Sequence, residues 1–361
     1  MASTALLVAG GTGGHLFPAL ALREALVARG WRVHLATDRR VGELIEGVPA
    51  AETHRVPSAT LAAGSPLAML RSFATMARGL ARSRALLRQV RPRVVVGFGG
   101  YPTVPPLVAA RLARLPILVH EQNAVVGRAN KLLIAFGAIL ATGFERPNGG
   151  ARAREIVHVG NPVRAAVANA ARPYQPAKGE GDFRLLVFGG SQGARVFSGL
   201  VPCALALLGE ARRSRVRIVQ QARPEDIDST RSTFSGMGVP ADVEPFFTDM
   251  GVRLAAAHLV LCRAGASTVA ELAALGRPAI LVPYPHALDH DQAENARALA
   301  EAGGAWIMPE SELDPSTLAR KLASLMDAPD ELTAAAEAAR AQGRLDAAER
   351  LADLVERCVG R

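Results

Sequence analysis

The sequence has few aromatic residues and very little lysine. Aromatics make up 4% of the 361 residues, and the only lysines are Lys131, Lys178 and Lys321, so the net charge of +9 comes mostly from arginine. The sparse aromatics do not interleave with the arginines, so we expect no base-stacking surface and no nucleic-acid partner. The basic balance instead indicates another anionic partner, such as a phospholipid or a phosphorylated substrate.

Cysteine is also scarce. Cys203, Cys262 and Cys358 are odd in number and far apart, which predicts reduced thiols in a cytosolic protein and no zinc site. No basic segment precedes the apolar stretch Leu6–Ala9, so we expect no signal peptide. The uncharged run Val94–Ala110 is interrupted by glycines and prolines, which argues against a membrane-spanning helix. These features predict a soluble or peripheral protein.

Acidic residues are missing from one long stretch. Thr53 to His120 contains no Asp or Glu but ten arginines. Within it, Pro66–Val90 is predicted to be a helix with separate apolar and basic faces. The residues expected to face a membrane are Leu70, Arg71, Phe73, Arg78, Leu80 and Arg82. An ordinary solvated helix is the alternative, but the lack of acids favours docking on an anionic lipid surface.

The most informative stretch is Leu259–Asn295, which has the pattern strand, sharp turn, helix, strand, loop, helix. It places a helix N-terminus at the carboxyl edge of a parallel sheet, where free N–H groups and a partial positive charge suit a diphosphate. Glu271 lies one turn further, within reach of hydroxyl groups beside that phosphate. A capping box from Thr268 to Glu271 is the alternative that needs no ligand.

Two strand–glycine–helix patterns begin half a chain apart, at Ala5 and at Arg184. They predict an α/β protein with two Rossmann-like lobes, and the loop-like stretch Ala165–Asp182 marks the boundary. We expect an N-terminal domain at residues 1–163, a C-terminal domain at 164–340, and a final helix at 341–361 that could cover the first domain. Asp38 ends the second strand, which keeps a nicotinamide-dependent enzyme as an alternative.

Several element bounds are predicted as well. The first helix is predicted over Pro18–Arg29. Short apolar runs predict buried strands at Ile139–Thr142, Val216–Gln221 and Leu259–Cys262. The helix after the last of these strands is predicted to end at Gly276.

Polar side chains cluster at two predicted strand ends of the first domain. His15 directly follows the glycine loop that begins at Gly10, and His120-Glu121-Gln122-Asn123 ends a buried strand. His15 is our first candidate for a general base and Glu121 the second. Asp226-Ile227-Asp228 superficially resembles a metal-binding motif but is predicted to lie in a polar surface loop. We therefore expect no metal.

Seven motifs occur in an order that covers nearly the whole chain: Gly10–His15, Gly99–Pro102, His120–Asn123, Gly160–Arg164, Gly189–Ala194, Arg263–Glu271 and Asp289–Asn295. In these motifs the sequence resembles the MurG family, the bacterial N-acetylglucosaminyltransferases that make lipid II. The resemblance implies a GT-B fold, in which two Rossmann-like doubly wound domains face a cleft.

The resemblance also implies roles for particular residues. In the second domain, the implied donor-site residues are Ser191, Phe247, Arg263, Ala266, Ser267, Thr268, Val269, Ala270, Glu271 on the ribose, and Gln292 on the sugar. In the first domain they are Thr12, Gly13, Gly14, Asn123 and Arg164. The residues implied to face the diphosphate of the acceptor are Gly10, Gly11, Gly99, Gly100 and Tyr101.

The implied reaction moves GlcNAc from UDP-GlcNAc to the C4 hydroxyl of MurNAc in lipid I. It is a single inverting displacement that needs no cofactor, carried out by a peripheral protein on the cytoplasmic face of the bacterial cell membrane. The alternatives are another GT-B glycolipid transferase, an NAD(P)-dependent Rossmann enzyme, or a binding protein that releases no UDP.

Overall fold

The computed structural model describes residues 2–10, 12–38, 48–58, 66–150, 152–177, 179–190, 193–287 and 290–360. The chain divides into two compact units. Unit 1 comprises Met1–Arg164 and Leu345–Arg361, and unit 2 comprises Ala165–Arg344.

Unit 1 is built on a parallel sheet. Its strands are β1 (Thr4–Val8), β2 (Arg32–Thr37), β3 (Thr53–Arg55), β4 (Val94–Gly97), β5 (Ile117–Glu121), β6 (Ile139–Thr142) and β7 (Ile156–His158). They lie in the order β3-β2-β1-β4-β5-β6-β7. The helices before the domain boundary are α1 (Gly13–Ala28), α2 (Pro66–Val90), α3 (Val104–Leu112) and α4 (Arg128–Ala135).

Unit 2 repeats this architecture. Its strands are β8 (Phe183–Phe188), β9 (Val216–Gln221), β10 (Ala241–Glu244), β11 (Leu259–Cys262), β12 (Ala279–Leu281) and β13 (Ala305–Ile307), in the order β10-β9-β8-β11-β12-β13. Its helices are α5 (Ala165–Ala168), α6 (Arg195–Ala206), α7 (Glu210–Arg213), α8 (Ile227–Gly236), α9 (Met250–Ala256), α10 (Ala266–Leu275), α11 (Asp291–Glu301), α12 (Pro315–Met326) and α13 (Pro329–Gln342). Short 3-10 turns occur at Ala50–Glu52, Tyr101–Thr103, Pro224–Asp226 and Glu310–Glu312.

The last helix, α14 (Ala347–Gly360), belongs to unit 1 and packs on α1. Its apolar face contributes Leu351 and Val355 to the same core cluster as Leu22 of α1. The guanidinium of Arg29, which follows α1, forms ion pairs with three carboxylates along α14: Glu349, Asp353 and Glu356. The hydrogen bond to Glu349 leads the interactions that raise the pKa of Arg29.

Both faces of the unit 1 sheet are buried, as expected for parallel strands covered by helices. Successive residues of β1 point to opposite faces. Leu7 packs in the core cluster that contains α1 and α14. Leu6 and Val8 pack in another cluster, which includes Leu107 of α3. In unit 2, Val187 and Leu261 of the central strands pack with α6 and α12.

Several sequence predictions are confirmed, and two are wrong. Helix α2 has the predicted bounds, and α10 ends at Gly276, whose backbone is left-handed at φ 61°. The first helix was expected to begin at Pro18 but begins at Gly13, because Gly13 and Gly14 already form its first turn and Pro18 lies inside it. Asp226 and Asp228 were expected in a loop, but Asp226 immediately precedes α8 and Asp228 lies inside it.

Candidate active site

Helix α10 presents an open N-terminus at the carboxyl end of β11. Its N-cap is Gly265, and among the described residues no side chain caps it. The first intrahelical bond runs from Val269 N–H to the Gly265 carbonyl, so the three preceding N–H groups of the helix have no partner within it. The alternative capping box is wrong, because Thr268 lies inside the helix and not at its N-cap.

Two polar side chains, Ser267 and Glu271, lie near this helix end. The hydroxyl of Ser267 is buried and has no hydrogen-bond partner among the described residues. Glu271 is also buried, and it follows Ser267 by four positions on the same helix face. Ala266 and Val269 are buried, whereas Thr268 and Ala270 are partly exposed. Buried polar atoms normally have partners, so the free Ser267 hydroxyl marks a place where a ligand atom could bind.

The turn before α10 is held by a neighbouring helix. The Nδ2 group of Asn295, a fully buried residue of α11, donates to the Ala264 carbonyl at 3.2 Å. Gln292, in the first turn of the same helix, accepts from the Tyr284 N–H at 3.0 Å through its side-chain oxygen. Helix α11 therefore positions both the turn after β11 and the loop after β12.

Arg263 has contacts within the protein on several sides. Its guanidinium donates to the carbonyls of Val282 and Pro283 and lies 2.5 Å from a carboxylate oxygen of Glu310. The guanidinium carbon of Arg263 lies 5.4 Å from the centre of the Tyr284 ring. These bonds connect the ends of β11 and β12 to the Glu310 turn, so Arg263 positions the loops. Its direct contact with a substrate stays a prediction.

The remaining predicted site residues of unit 2, Ser191 and Phe247, lie in the segments that follow β8 and β10. Gln221 bridges these two segments, because its oxygen accepts from Gly189 N–H at 3.1 Å and its nitrogen donates to the Pro245 carbonyl at 3.1 Å. Phe247 is buried beneath the guanidinium of Arg253, which lies 4.2 Å from the centre of the ring. Ser191 lies outside the described residues.

In unit 1, the glycine loops enclose the ring of His15. A methyl group added at Gly99 would lie 3.1 Å from Cε1 of His15, and one added at Gly10 would lie 3.2 Å from Cδ2. At Gly100 the corresponding distance to Cδ2 is 3.5 Å. Gly99 also has φ +91°, a backbone conformation that other residues rarely adopt. These glycines therefore make room for an imidazole.

The His15 ring is also hydrogen-bonded. Its Nδ1 lies 3.1 Å from Oε1 of Gln122, which follows β5. Gln122 in turn contacts His120, a completely buried residue whose Nε2 lies 2.9 Å from the Gly160 carbonyl. Burial, as the largest effect, lowers the pKa of His120 to about 4. His120 therefore stays neutral near pH 7.

Glu121 is the other candidate base, and its carboxylate is fully engaged. One oxygen accepts from the backbone and side-chain nitrogens of Asn123, at 3.0 and 3.3 Å. The other accepts from Gly127 N–H and Asn130 Nδ2, both at 2.8 Å. Four donors on one buried carboxylate hold the loop between β5 and α4, and they orient Asn123.

The other predicted residues of unit 1 lie around the start of α1. Thr12 is its exposed N-cap, and Gly13 and Gly14 form its first turn. Within the described part of the chain, a methyl group on Gly14 would meet nothing within 4 Å. The guanidinium carbon of Arg164 lies 5.0 Å from the centre of the ring of Phe17, a residue of α1. Tyr101 begins the 3-10 turn after Gly100, and Gly11 lies outside the described residues.

Helix α2 leaves part of its apolar face exposed. Met69, Leu70 and Phe73 are 47%, 66% and 60% exposed. Arg71, Arg78 and Arg82 are exposed as well, whereas Leu80 is only partly exposed and packs against the core of unit 1. Among the described helices, none is both long enough and apolar enough to cross a bilayer.

Three residues in this description were missing from the sequence-based list of site residues: Gln122, Asn295 and Gln221. Each hydrogen-bonds to a loop or side chain of the site. Gln122 and Gln221 follow or end buried strands, and this position was the available signal for both. Asn295 ends the motif Asp289–Asn295, but its contact could not be predicted, because its helix meets the turn after β11 only in the folded chain. No group of three His, Cys, Asp or Glu side chains in the described part of the chain is arranged to hold a metal.

Comparison with known proteins shows the family to which the chain belongs. The sequence matches the glycosyltransferase family 28 N-terminal domain over residues 5–138 and the C-terminal domain of that family over residues 184–351. It is 56% identical to a protein of Chelativorans sp. (strain BNC1), over 98% of this chain and 94% of the relative. It is 54% identical to one of Brucella abortus (strain S19), over 97% and 93%. Both relatives are named UDP-N-acetylglucosamine--N-acetylmuramyl-(pentapeptide) pyrophosphoryl-undecaprenol N-acetylglucosamine transferase.

Solved structures give the same result. The crystal structure of Acinetobacter baumannii MurG matches with a TM-score of 0.79 and 28% identity, over 99% of this chain and 100% of that one. A UDP-N-acetylglucosamine 2-epimerase matches with a TM-score of 0.67 and 15% identity, over 100% and 98%, which shows likeness of fold alone. The predicted GT-B class, with two Rossmann-like doubly wound domains, is confirmed. The chain belongs to glycosyltransferase family 28 and, within it, to the MurG family of N-acetylglucosamine transferases.

Proposed function

We propose that this protein transfers GlcNAc from UDP-GlcNAc to the C4 hydroxyl of MurNAc in lipid I, forming lipid II for peptidoglycan synthesis. The names and identities of its relatives support this activity. The observation that carries the proposal is the open first turn of α10, with the partnerless Ser267 hydroxyl and the buried Glu271 on one face.

The first turn of α10 supplies what a nucleotide diphosphate needs. Its backbone N–H groups and the positive end of the helix dipole attract phosphate oxygens. The Ser267 hydroxyl donates a further hydrogen bond, and Glu271 accepts from the ribose hydroxyls. The same N–H groups stabilise the negative charge that develops on UDP as it leaves.

In unit 1, His15 acts as the general base. The C4 oxygen of MurNAc attacks C1 of GlcNAc from the face opposite the diphosphate, and the bond from C1 to the diphosphate oxygen breaks. The proton of the hydroxyl passes to His15, and the electron pair of the broken bond leaves with UDP. One displacement inverts the configuration at C1, so the product is a β-1,4 link.

Glu121 is a poorer base than His15. Its two oxygens already accept four hydrogen bonds, and taking a proton would disrupt the loop that they hold. We therefore assign Glu121 to orienting Asn123 and assign proton transfer to His15.

The activity is tested by measuring UDP release with UDP-GlcNAc and lipid I. We expect release that depends on both substrates and a product with one added GlcNAc. Calorimetry with NADH and with UDP tests the Rossmann enzyme alternative, and we expect heat of binding with UDP only. Binding of UDP-GlcNAc without UDP release in the presence of lipid I would overturn the proposal.

We further propose that the N-terminal half of α2 docks on the anionic cytoplasmic face of the cell membrane, where lipid I would be met. Leu70 and Phe73 are exposed apolar side chains, and the stretch around them carries arginines without any acid. Arginines near an anionic surface and shallow apolar insertion act together in such docking.

A vesicle assay with a matched pair of variants tests this surface. Phe73→Glu should weaken sedimentation with phosphatidylglycerol vesicles, and raised salt should weaken binding of the unaltered protein. Leu207→Glu is the control, since Leu207 in unit 2 is 59% exposed, close to the 60% of Phe73. Equal binding of both variants would contradict membrane docking through α2.

A further inference from the structure

A chain of hydrogen bonds leads from the backbone of unit 1 to the ring of His15. It begins at the Gly160 carbonyl, 2.9 Å from Nε2 of His120. It continues from Nδ1 of His120 to Nε2 of Gln122 at 3.0 Å, and from Oε1 of Gln122 to Nδ1 of His15 at 3.1 Å. The reaction as proposed above uses only the last member of this chain.

The direction of every bond in this chain is fixed by its carbonyl groups. A carbonyl can only accept, so Nε2 of His120 must donate to Gly160 and its Nδ1 must accept. The Gln122 nitrogen also lies 3.1 Å from the carbonyl of His120, which identifies that end of the amide as the donor. Oε1 therefore faces His15, and Nδ1 of His15 must carry the hydrogen.

Burial of His120 and a hydrogen bond to the Gln122 backbone keep these donor and acceptor roles from reversing. His120 is fully buried, and burial lowers its pKa to about 4, so it does not take up a second proton near neutral pH. The backbone of Gln122 is held as well, because Asn161 Nδ2 donates to the Gln122 carbonyl at 2.8 Å. Rotating the Gln122 amide or shifting its backbone would therefore break hydrogen bonds.

We propose that Gln122 is a positioning residue that holds neutral His15 in the tautomer with its hydrogen on Nδ1 and its lone pair on Nε2. The tautomer of a histidine is set by the partner of its other nitrogen. Gly10, Gly99 and Gly100 fix where the ring lies, and Gln122 fixes which nitrogen is basic. His120 acts one step behind, by orienting the amide of Gln122.

The consequence for the reaction rests on the proposed function, in which His15 is the base. Only Nε2 can then take the proton of the acceptor hydroxyl, and Nδ1–H of His15 donates to Oε1 of Gln122 before and after the transfer. Without Gln122, neutral His15 divides between two tautomers, and one of them has no lone pair at Nε2.

The test is a long-range proton–nitrogen NMR correlation of the histidine side chains in the full protein, with the His15 signal assigned by its loss in His15→Ala. We expect the Nδ1–H pattern for His15 in the unaltered protein. In Gln122→Met, which keeps the length of the side chain but removes both polar atoms, the pattern should shift towards Nε2–H. Gln220→Met is the control, because Gln220 is also buried and its nitrogen donates to the Phe197 carbonyl in unit 2.

Turnover gives the second readout. A wrong tautomer of the catalytic histidine lowers kcat by up to about 10⁴-fold in serine proteases, and a mixture of tautomers should cost less. We expect kcat of Gln122→Met to fall roughly 10- to 100-fold with the KM for UDP-GlcNAc unchanged. Gln220→Met should retain its kcat.

The two possible failures are distinguishable. An Nε2–H pattern for His15 in the unaltered protein overturns the inference, even if Gln122→Met cannot be folded. An unchanged pattern in folded Gln122→Met overturns it too. If the tautomer responds as expected but His15→Ala keeps full turnover, the role of Gln122 stands and the assignment of His15 as the base falls.

Discussion

Both units place a glycine turn between a central strand and a helix, but the space beside the turn is open in unit 2 and is filled by a side chain in unit 1. In unit 2, the Gly265 turn leaves its space open: of the residues that the structure describes, an added methyl group would meet only Thr268, whose hydroxyl lies at 3.9 Å. In unit 1, a methyl group added at Gly10, Gly99 or Gly100 would lie 3.1 to 3.5 Å from an atom of the His15 ring. One turn exposes a helix N-terminus, whereas the other holds a side chain.

This difference teaches how one architecture supports two kinds of chemistry. An open helix N-terminus binds negative charge through the backbone and needs no basic side chain. A turn filled by an imidazole provides a nitrogen that can exchange a proton near neutral pH. We infer that unit 2 holds the leaving group and that unit 1 takes the proton.

The largest expected effect is that of removing the imidazole from unit 1. His15→Ala should lower kcat by about 10²- to 10⁴-fold, the usual contribution of a general base. The KM for UDP-GlcNAc should stay nearly unchanged, because we propose that the donor is held mainly by unit 2. Steady-state kinetics with varied UDP-GlcNAc measures both quantities.

His34→Ala serves as the control, since His34 lies in β2 of the same sheet and outside the candidate site. A normal kcat for His15→Ala, or an equal loss of kcat in both variants, would contradict the claim that His15 takes the proton.

The next largest effect concerns the glycine beside the ring. Gly99→Ala puts a methyl group 3.1 Å from Cε1 of His15 at φ +91°. We expect the free energy of unfolding to fall by about 1–3 kcal/mol from backbone strain. The displaced ring should lower kcat roughly 10- to 100-fold.

Gly30→Ala separates these two effects. Gly30 has a similar φ of +81°, but a methyl group there would meet no described residue within 4 Å. It should lose comparable stability in urea unfolding and keep its kcat. Equal losses of kcat in both variants would mean that stability, and not the position of His15, limits turnover.

A smaller effect is expected in unit 2 from Ser267→Ala. The Ser267 hydroxyl has no hydrogen-bond partner among the described residues, so its removal should not lower the free energy of unfolding. A lost hydrogen bond to the ligand costs about 0.5–1.5 kcal/mol, so UDP should bind roughly 3- to 10-fold more weakly. Calorimetry with UDP measures the affinity, and unchanged affinity would place the diphosphate elsewhere.

Much of the fold was predictable because its signals are local. The buried strands β6, β9 and β11 have the bounds that their apolar runs predicted, and α10 ends at the glycine that marks its end. The start of α1 was missed because proline usually opens a helix, whereas the glycines before Pro18 already form its first turn. The two aspartates around Ile227 were misjudged because polar residues fill the exposed side of α8.

The site was less predictable than the fold. Residue type and position indicated His15 and the helix at Ser267, since each follows a glycine turn after a buried strand. The roles of Gln122 and Glu121 depend on contacts across several loops. Sequence alone could not show that Glu121 is saturated by four donors or that Gln122 faces His15.

The account depends most on the open turn of unit 2, and one pair of variants tests it directly. Gly265 and Gly209 are both helix N-caps, with φ, ψ of −63°, 145° and −54°, 149°, and an added methyl group meets little at either position. The two alanine variants should therefore have stabilities within about 0.5 kcal/mol of each other. In calorimetry with UDP, we predict that Gly265→Ala binds about tenfold or more weakly, a loss of at least 1.4 kcal/mol, while Gly209→Ala binds normally. Equal affinity of the two variants for UDP would contradict the claim that the N-terminus of α10 holds the diphosphate.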